Sequence, residues 1–136
     1  MPIVVGADPK GGGGRGVVSS ASYSARKFGI RSALPISKAY ELCPKAIFLP
    51  VNMELYQEVS EEIMEIIKKY SPQWETVSLD EAYLDLSFLK SYKGLQPSHH
   101  PPAKGGPLAK LLAEKLKEEI LEKEKLTCTV DIGPKN

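Results

Sequence analysis

The sequence predicts an α+β fold: a mostly antiparallel sheet with helices packed on one face, joined to a small subdomain. Three observations carry this prediction. Short β-branched runs end at glycine and proline turn signals, two long stretches repeat apolar residues every three or four positions, and the order strand, helix, strand pair, helix, strand shows no internal repeat. With 136 residues, 42% hydrophobic and 26% charged, the chain has the composition of an ordinary globular domain. A domain of this size buries about two thirds of the surface its unfolded chain exposes, so no disulfide or structural metal is needed to hold it.

Residues 2–5 are a β-branched run meeting a Gly/Asp/Pro turn signal at 6–9, so they read as a buried strand and the chain opens in mid-fold. The stretch 9–16, PKGGGGRG, is too rich in glycine to order itself and is expected to form a mobile hairpin tip or lid before a strand resumes at Val17 and Val18. Ser22 is the expected N-cap of a short helix over 23–28, closed by Gly29. Pro35, at a first helical position, opens another that passes Ala39 and Leu42 and stops at Pro44. Residues 46–49 read as a brief strand.

Between 53 and 70, Leu55, Tyr56, Val59, Ile63, Ile66, Ile67 and Tyr70 mark the apolar face of an amphipathic helix whose other face is charged and solvated. Residues 74–79 and 82–86 alternate apolar and polar and are separated only by Asp80 and Glu81, the spacing of a tight hairpin. Residues 90–107 read as a loop. Leu108, Leu111, Leu112, Leu116, Ile120 and Leu121 define a second long helix, and 126–132 (LTCTVDI) alternates as a half-buried strand does.

The formal net charge of +1 excludes a basic coat over the whole chain, but the charge is unevenly distributed. Between Lys10 and Lys45 stand Lys10, Arg15, Arg26, Lys27, Arg31, Lys38 and Lys45 against the single acid Glu41, whereas acids dominate from Glu54 to Glu65. A cationic front half suits an anionic ligand, and it also suits a merely solvated surface. Cys43 and Cys128 are too far apart for a zinc or CxxC motif and read as reduced, buried thiols. No apolar run reaches the length of a signal-peptide core or a membrane span, so a cytoplasmic protein with no membrane partner is expected.

Two constellations carry chemistry. Adjacent carboxylates at a hairpin tip, Asp80 and Glu81, repel each other, and a divalent cation relieves the repulsion. Mg²⁺ takes oxygen ligands and keeps waters or substrate phosphates in its remaining positions, so one or two protein carboxylates suffice. The same dipeptide also suits a turn that binds nothing. The second constellation gathers Ser19, Ser20, Tyr23, Arg26 and Lys27 around a helix start, where hydroxyls, a phenol and a guanidinium fork match phosphate oxygens. Tyr23 and Arg26, three apart, share one helix face. The glycine run lacks the GK[ST] ending of a phosphate-binding P-loop, and His99 and His100 have no third ligand nearby, so neither is counted as a site.

The segments GRGVVSSASYSARKFGIRSALPISKAYELCP and SLDEAYLDLS resemble the Y-family, DinB-type translesion DNA polymerases, and the likeness extends from Pro2 to Asn136. The resemblance implies a small fingers subdomain over 6–49 and a partial palm over 1–5 and 50–136. It implies that Asp80 and Glu81 are catalytic and hold two Mg²⁺ ions. Ser20, Tyr23 and Arg26 match positions that contact the incoming deoxynucleoside triphosphate, and Val17 and Ser19 match the roof over the nascent base pair. Primer-template DNA, and a sliding clamp, are the parent enzyme's implied partners.

Two departures qualify the likeness. Family members carry an Asp-x-Asp strand and an aromatic gate some thirty residues before the present start, and thumb and little-finger domains after the palm. Where they read Gly-Ile, two variable residues and Asn-Lys, this chain reads Asp131-Ile132-Gly133-Pro134-Lys135-Asn136, which leaves Lys135 as the candidate triphosphate lysine. The expectation is therefore a polymerase part with little activity by itself. The alternative is a non-catalytic nucleotide-binding or protein-interaction module with a palm-like fold.

Overall fold

The computed structural model describes residues 1–91 and 106–134, and they form an α+β fold in two compact units, Met1–Met53 and Glu54–Asn136. In the first unit β1 (Ile3–Gly6) is the middle strand of a three-stranded sheet. It pairs antiparallel with β2 (Val18–Ala21) and parallel with β3 (Ile47–Leu49). Two helices, α1 (Tyr23–Arg26) and α2 (Ile36–Leu42), occupy the connection that returns the chain parallel to β1. Residues 1–5, expected to belong with 50–136, are thus held by strand pairing within the first unit. Val4, Ala25, Ile36 and Ala39 are fully buried and Val18 and Ile30 nearly so, forming its core with the thiol-bearing Cys43.

The glycine-rich stretch joins antiparallel β1 and β2, as expected of a hairpin tip, and hydrogen bonds give it a defined shape. Asp8 Oδ1 accepts from the Lys10 N–H at 2.9 Å, and the Gly12 and Gly14 N–H groups both reach Pro9 O at 2.8 Å, shaping a 3₁₀ turn over Lys10–Gly12. A Cβ at position 14 would lie 2.0 Å from Asp8 O, so this close backbone crossing requires glycine. Pro35 proves to be the N-cap of α2 (ψ 135°), one residue before the helix proper.

In the second unit α3 (Met53–Lys68) and α4 (Gly106–Glu124) pack through Ile66, Leu116 and Ile120 against Leu84 of a hairpin, with Ile63, Ile67, Tyr70 and Cys128 around them. The hairpin joins β4 (Gln73–Ser78) to β5 (Glu81–Asp85). Its turn is Leu79-Asp80, not Asp80-Glu81, because an extra residue at Val77 shifts the register so that Ser78 opposes Glu81. Glu81 therefore opens β5. Residues 126–132 are not a strand: they alternate correctly, but none of the described strands pairs with them, and period-2 patterning without a ladder partner does not make a sheet. They line, with β5, α3 and α4, an open apolar groove of about 2110 Å³.

Candidate functional site

The predicted site residues fall in both units. In the first, β2 carries a bulge: Val5 opposes Ser20 and Gly6 opposes Val18, leaving Ser19 as the extra residue. A bulge re-aims side chains, and here both Ser19 and Ser20 are exposed while Val18 and Ala21 are buried. Gly6 makes room for it, since a Cβ there would lie 2.6 Å from Val17 O. Val17 bridges to Pro35 and leaves about half its surface exposed, and Ser32 Oγ donates to Ser19 O at 2.9 Å.

Tyr23 and Arg26 share one face of α1, as their spacing predicts. Arg26 Cζ lies 5.9 Å from the Tyr23 ring centroid, and Tyr23 is 87% exposed. Arg26 Nε donates to Ala21 O at 2.9 Å, a bond that fixes the guanidinium by its inner nitrogen and leaves the terminal fork directed elsewhere. The start of α1 is held by Ser22, whose Oγ accepts from the Ile3 N–H at 3.0 Å and the Ala25 N–H at 3.3 Å. Ser24 Oγ donates to Met1 O at 2.8 Å, so in the 3.0 Å pair of hydroxyls it is Ser22 that donates to Ser24. The helix dipole contributes little here, because α1 is only four residues long.

In the second unit Asp80 and Glu81 are exposed at the hairpin end, and one hydroxyl links them. Ser78 Oγ lies 3.0 Å from Asp80 Oδ1 and 3.2 Å from Glu81 Oε2, so a single proton is shared between two carboxylates. Two neighbouring carboxylates open to solvent are a donor set that a hard divalent cation fits, with waters or phosphate oxygens completing its shell. Among the described residues no group of three or more His, Cys, Asp and Glu side chains converges. Trp74 pairs with Leu84, several residues from the turn, and the Lys68 ammonium lies 4.5 Å over its ring. Lys135, His99 and His100 lie outside the described residues.

Spacing anticipated that Asp80 and Glu81 lie together at the hairpin end and that Tyr23 and Arg26 share a helix face. It gave Ser78 no role, although its place two residues before Asp80 was the available signal. Ser60 was missed too: its Oγ donates to Leu79 O at 2.6 Å from nineteen residues away, a contact no local pattern encodes.

The sequence profile of the impB/mucB/samB family matches residues 1–136. The chain belongs to that family. Relatives include DNA polymerase IV 2 of Methanosarcina mazei, 47% identical over 135 residues, and DNA polymerase IV of Methanoculleus marisnigri, 45% identical over 133. Each alignment covers 98% of this chain and 33% of the relative, so the chain spans about a third of the length of these curated proteins. Among solved structures, DinB from Sulfolobus solfataricus superposes with a TM-score of 0.77 at 35% identity, covering all of this chain and 36% of that one. An insertion ternary complex of Dbh DNA polymerase gives 0.76 at 34%, with the same coverage. This impB/mucB/samB sequence is of the Y-family, DinB type, as its two motifs predict, and its α+β class is that of its structural relatives.

Proposed function

We propose that this chain is the part of a template-directed, lesion-bypassing DNA polymerase that carries two elements of the nucleotide site: a triphosphate grip and a metal-holding hairpin. The observation that carries the reading is the hairpin end, where Asp80 and Glu81 stand exposed and share the Ser78 proton in a chain whose relatives are DNA polymerases IV. Asp80 and Glu81 would hold Mg²⁺, two ions in the complete enzyme. Bound there, Mg²⁺ supplies charge neutralisation for phosphoryl transfer and lowers the pKa of a primer hydroxyl.

The chain's own residues do the rest. The Arg26 fork and the Tyr23 hydroxyl face a triphosphate, with Ser20 beside them on β2, and Lys135 is the further cation for it. Val17 and Ser19 lie over the base pair, and their small size leaves space for a damaged template base. The partners this implies are a deoxynucleoside triphosphate, primer-template DNA and, for the complete protein, a sliding clamp.

Titration of dATP with Mg²⁺ into the 136-residue chain, followed by calorimetry, tests the reading. Binding is expected, and Arg26→Ala should weaken it about tenfold or more, since a charge-assisted bond contributes roughly 1.5–3 kcal/mol. Binding that is indifferent to both Arg26→Ala and Asp80→Ala would refute it. Trp74 is a poor reporter for this purpose because it pairs with Leu84, away from the turn.

A further inference from the structure

Among the described residues two polar side chains are buried, Ser60 at 8% exposure and Ser71 at 5%, and both bind the β4–β5 hairpin. Ser71 Oγ lies 2.7 Å from Gln73 O and 2.5 Å from Asp85 O, closing the open end of the hairpin. Ser60 Oγ donates to Leu79 O at 2.6 Å, at the turn. The turn bond has a consequence for the site that the other does not.

In the turn Ser78-Leu79-Asp80-Glu81 the Leu79 carbonyl belongs to the central peptide, the one that takes no part in the strand ladder. Peptide planarity couples that carbonyl to the Asp80 nitrogen, so its direction sets the φ of Asp80 and with it the aim of the Asp80 side chain. Neither Leu79 nor Asp80 has a positive φ, which excludes the primed turns that two-residue hairpins favour. The twist is supplied instead by the bulge at Val77. A turn of this kind has a neighbouring state, reached by flipping its central peptide, in which Asp80 takes a positive φ. Aspartate tolerates that conformation better than most residues, so the hairpin does not by itself forbid the flip. The Ser60 hydroxyl, held on α3, bonds the carbonyl in only one of the two states.

We infer that Ser60 is a positioning residue for the Asp80–Glu81 carboxylate pair, locking the Leu79–Asp80 peptide so that both carboxylates face one cation. This role rests on the proposed reading of the hairpin as a metal site. It predicts that loss of the hydroxyl lowers metal affinity even where the protein remains fully folded.

The test uses Mn²⁺ alone as the probe, with free Mn²⁺ measured by electron paramagnetic resonance on the full 136-residue chain well below its melting temperature. Ser60→Ala should weaken Mn²⁺ binding roughly two- to tenfold, the span of one net hydrogen bond. Ser60→Thr, which keeps the hydroxyl, should restore it. In an Asp80→Ala background Ser60→Ala should have no further effect. If Asp80→Ala loses Mn²⁺ while a folded Ser60→Ala binds as the parent does, the Ser60 role is refuted and the carboxylate reading stands. If the parent chain binds no Mn²⁺, or Asp80→Ala changes nothing, both fall together. Should Ser60→Ala fail to fold, Ser60→Cys makes the same comparison, since it keeps the volume and replaces a strong donor with a weak one.

Discussion

Removing the Ser22 hydroxyl should loosen the first unit by an amount that the structure allows to be worked out. Ser22 Oγ accepts from the Ala25 N–H at 3.3 Å, an N-cap bond, and from the part-buried Ile3 N–H at 3.0 Å, a bond to the central strand. Loss of a serine cap costs about 1 kcal/mol. An amide left without its partner in a partly buried site costs a further 1 kcal/mol or so. The 3.0 Å Ser22 N–H bond to Ile3 O survives the change, so β1 and α1 stay connected and the loss should total about 2 kcal/mol.

The single tryptophan, Trp74, is in the second unit, so the measurement is amide hydrogen exchange in the β1–β2 ladder around Val4 and Ala21. A loss of about 2 kcal/mol lowers protection about 30-fold in Ser22→Ala. Ser22→Thr should recover most of it. Ser24→Ala, which removes an exposed bond to Met1 O and the acceptor of the Ser22 hydroxyl but neither of the bonds that Ser22 accepts, should change protection far less than Ser22→Ala does. Protection in Ser22→Ala within about twofold of the parent would show that Ser22 does not hold α1 to β1.

Three further expectations concern the second unit, and urea unfolding followed by Trp74 fluorescence reads each. The Lys123 ammonium, together with the Tyr70 hydroxyl, holds the Glu119 carboxyl below its usual value of 4.5, so its contribution is present above that pH and is lost on acidification. The urea midpoint should therefore fall below about pH 4.5 and fall less in Lys123→Met. Burial, and then the bond to Glu119, push the Tyr70 phenol above its usual 10.0. That contribution is complete below pH 10.0 and is lost as pH rises through the folded-state value, and an alkaline decline unchanged in Tyr70→Phe would contradict it. Glu124 is raised by burial and by Glu62 beside it, which opposes folding at neutral pH, so Glu124→Gln should raise the midpoint at pH 7 and lose this advantage in acid.

The sequence by itself determined the family, the α+β class, the helices α3 and α4 and the Ser22 cap. These are local matters: helical periodicity, capping and turn chemistry act over a few residues, and SYSARKFG and SLDEAYLD are contiguous. It misread elements whose outcome depends on distant partners. Residues 126–132 have a strand's alternation, but a strand forms only beside another, and none of the described strands pairs with them.

Only the tertiary structure decided how the candidate residues are aimed. One extra residue at Ser19 turns two serines outward, and one at Val77 places Asp80 in the turn and Glu81 on the strand, because each bulge reverses which face the following side chains meet. The hydroxyl that fixes the Asp80 peptide comes from Ser60, nineteen residues from the carbonyl it holds. Periodicity marks an apolar face on α3, yet Leu55 and Tyr56 on that face are exposed whereas Ser60 and Met64 are buried. That Ser60 meets one particular carbonyl is set by how α3 packs on β4, a contact between elements that no local pattern contains.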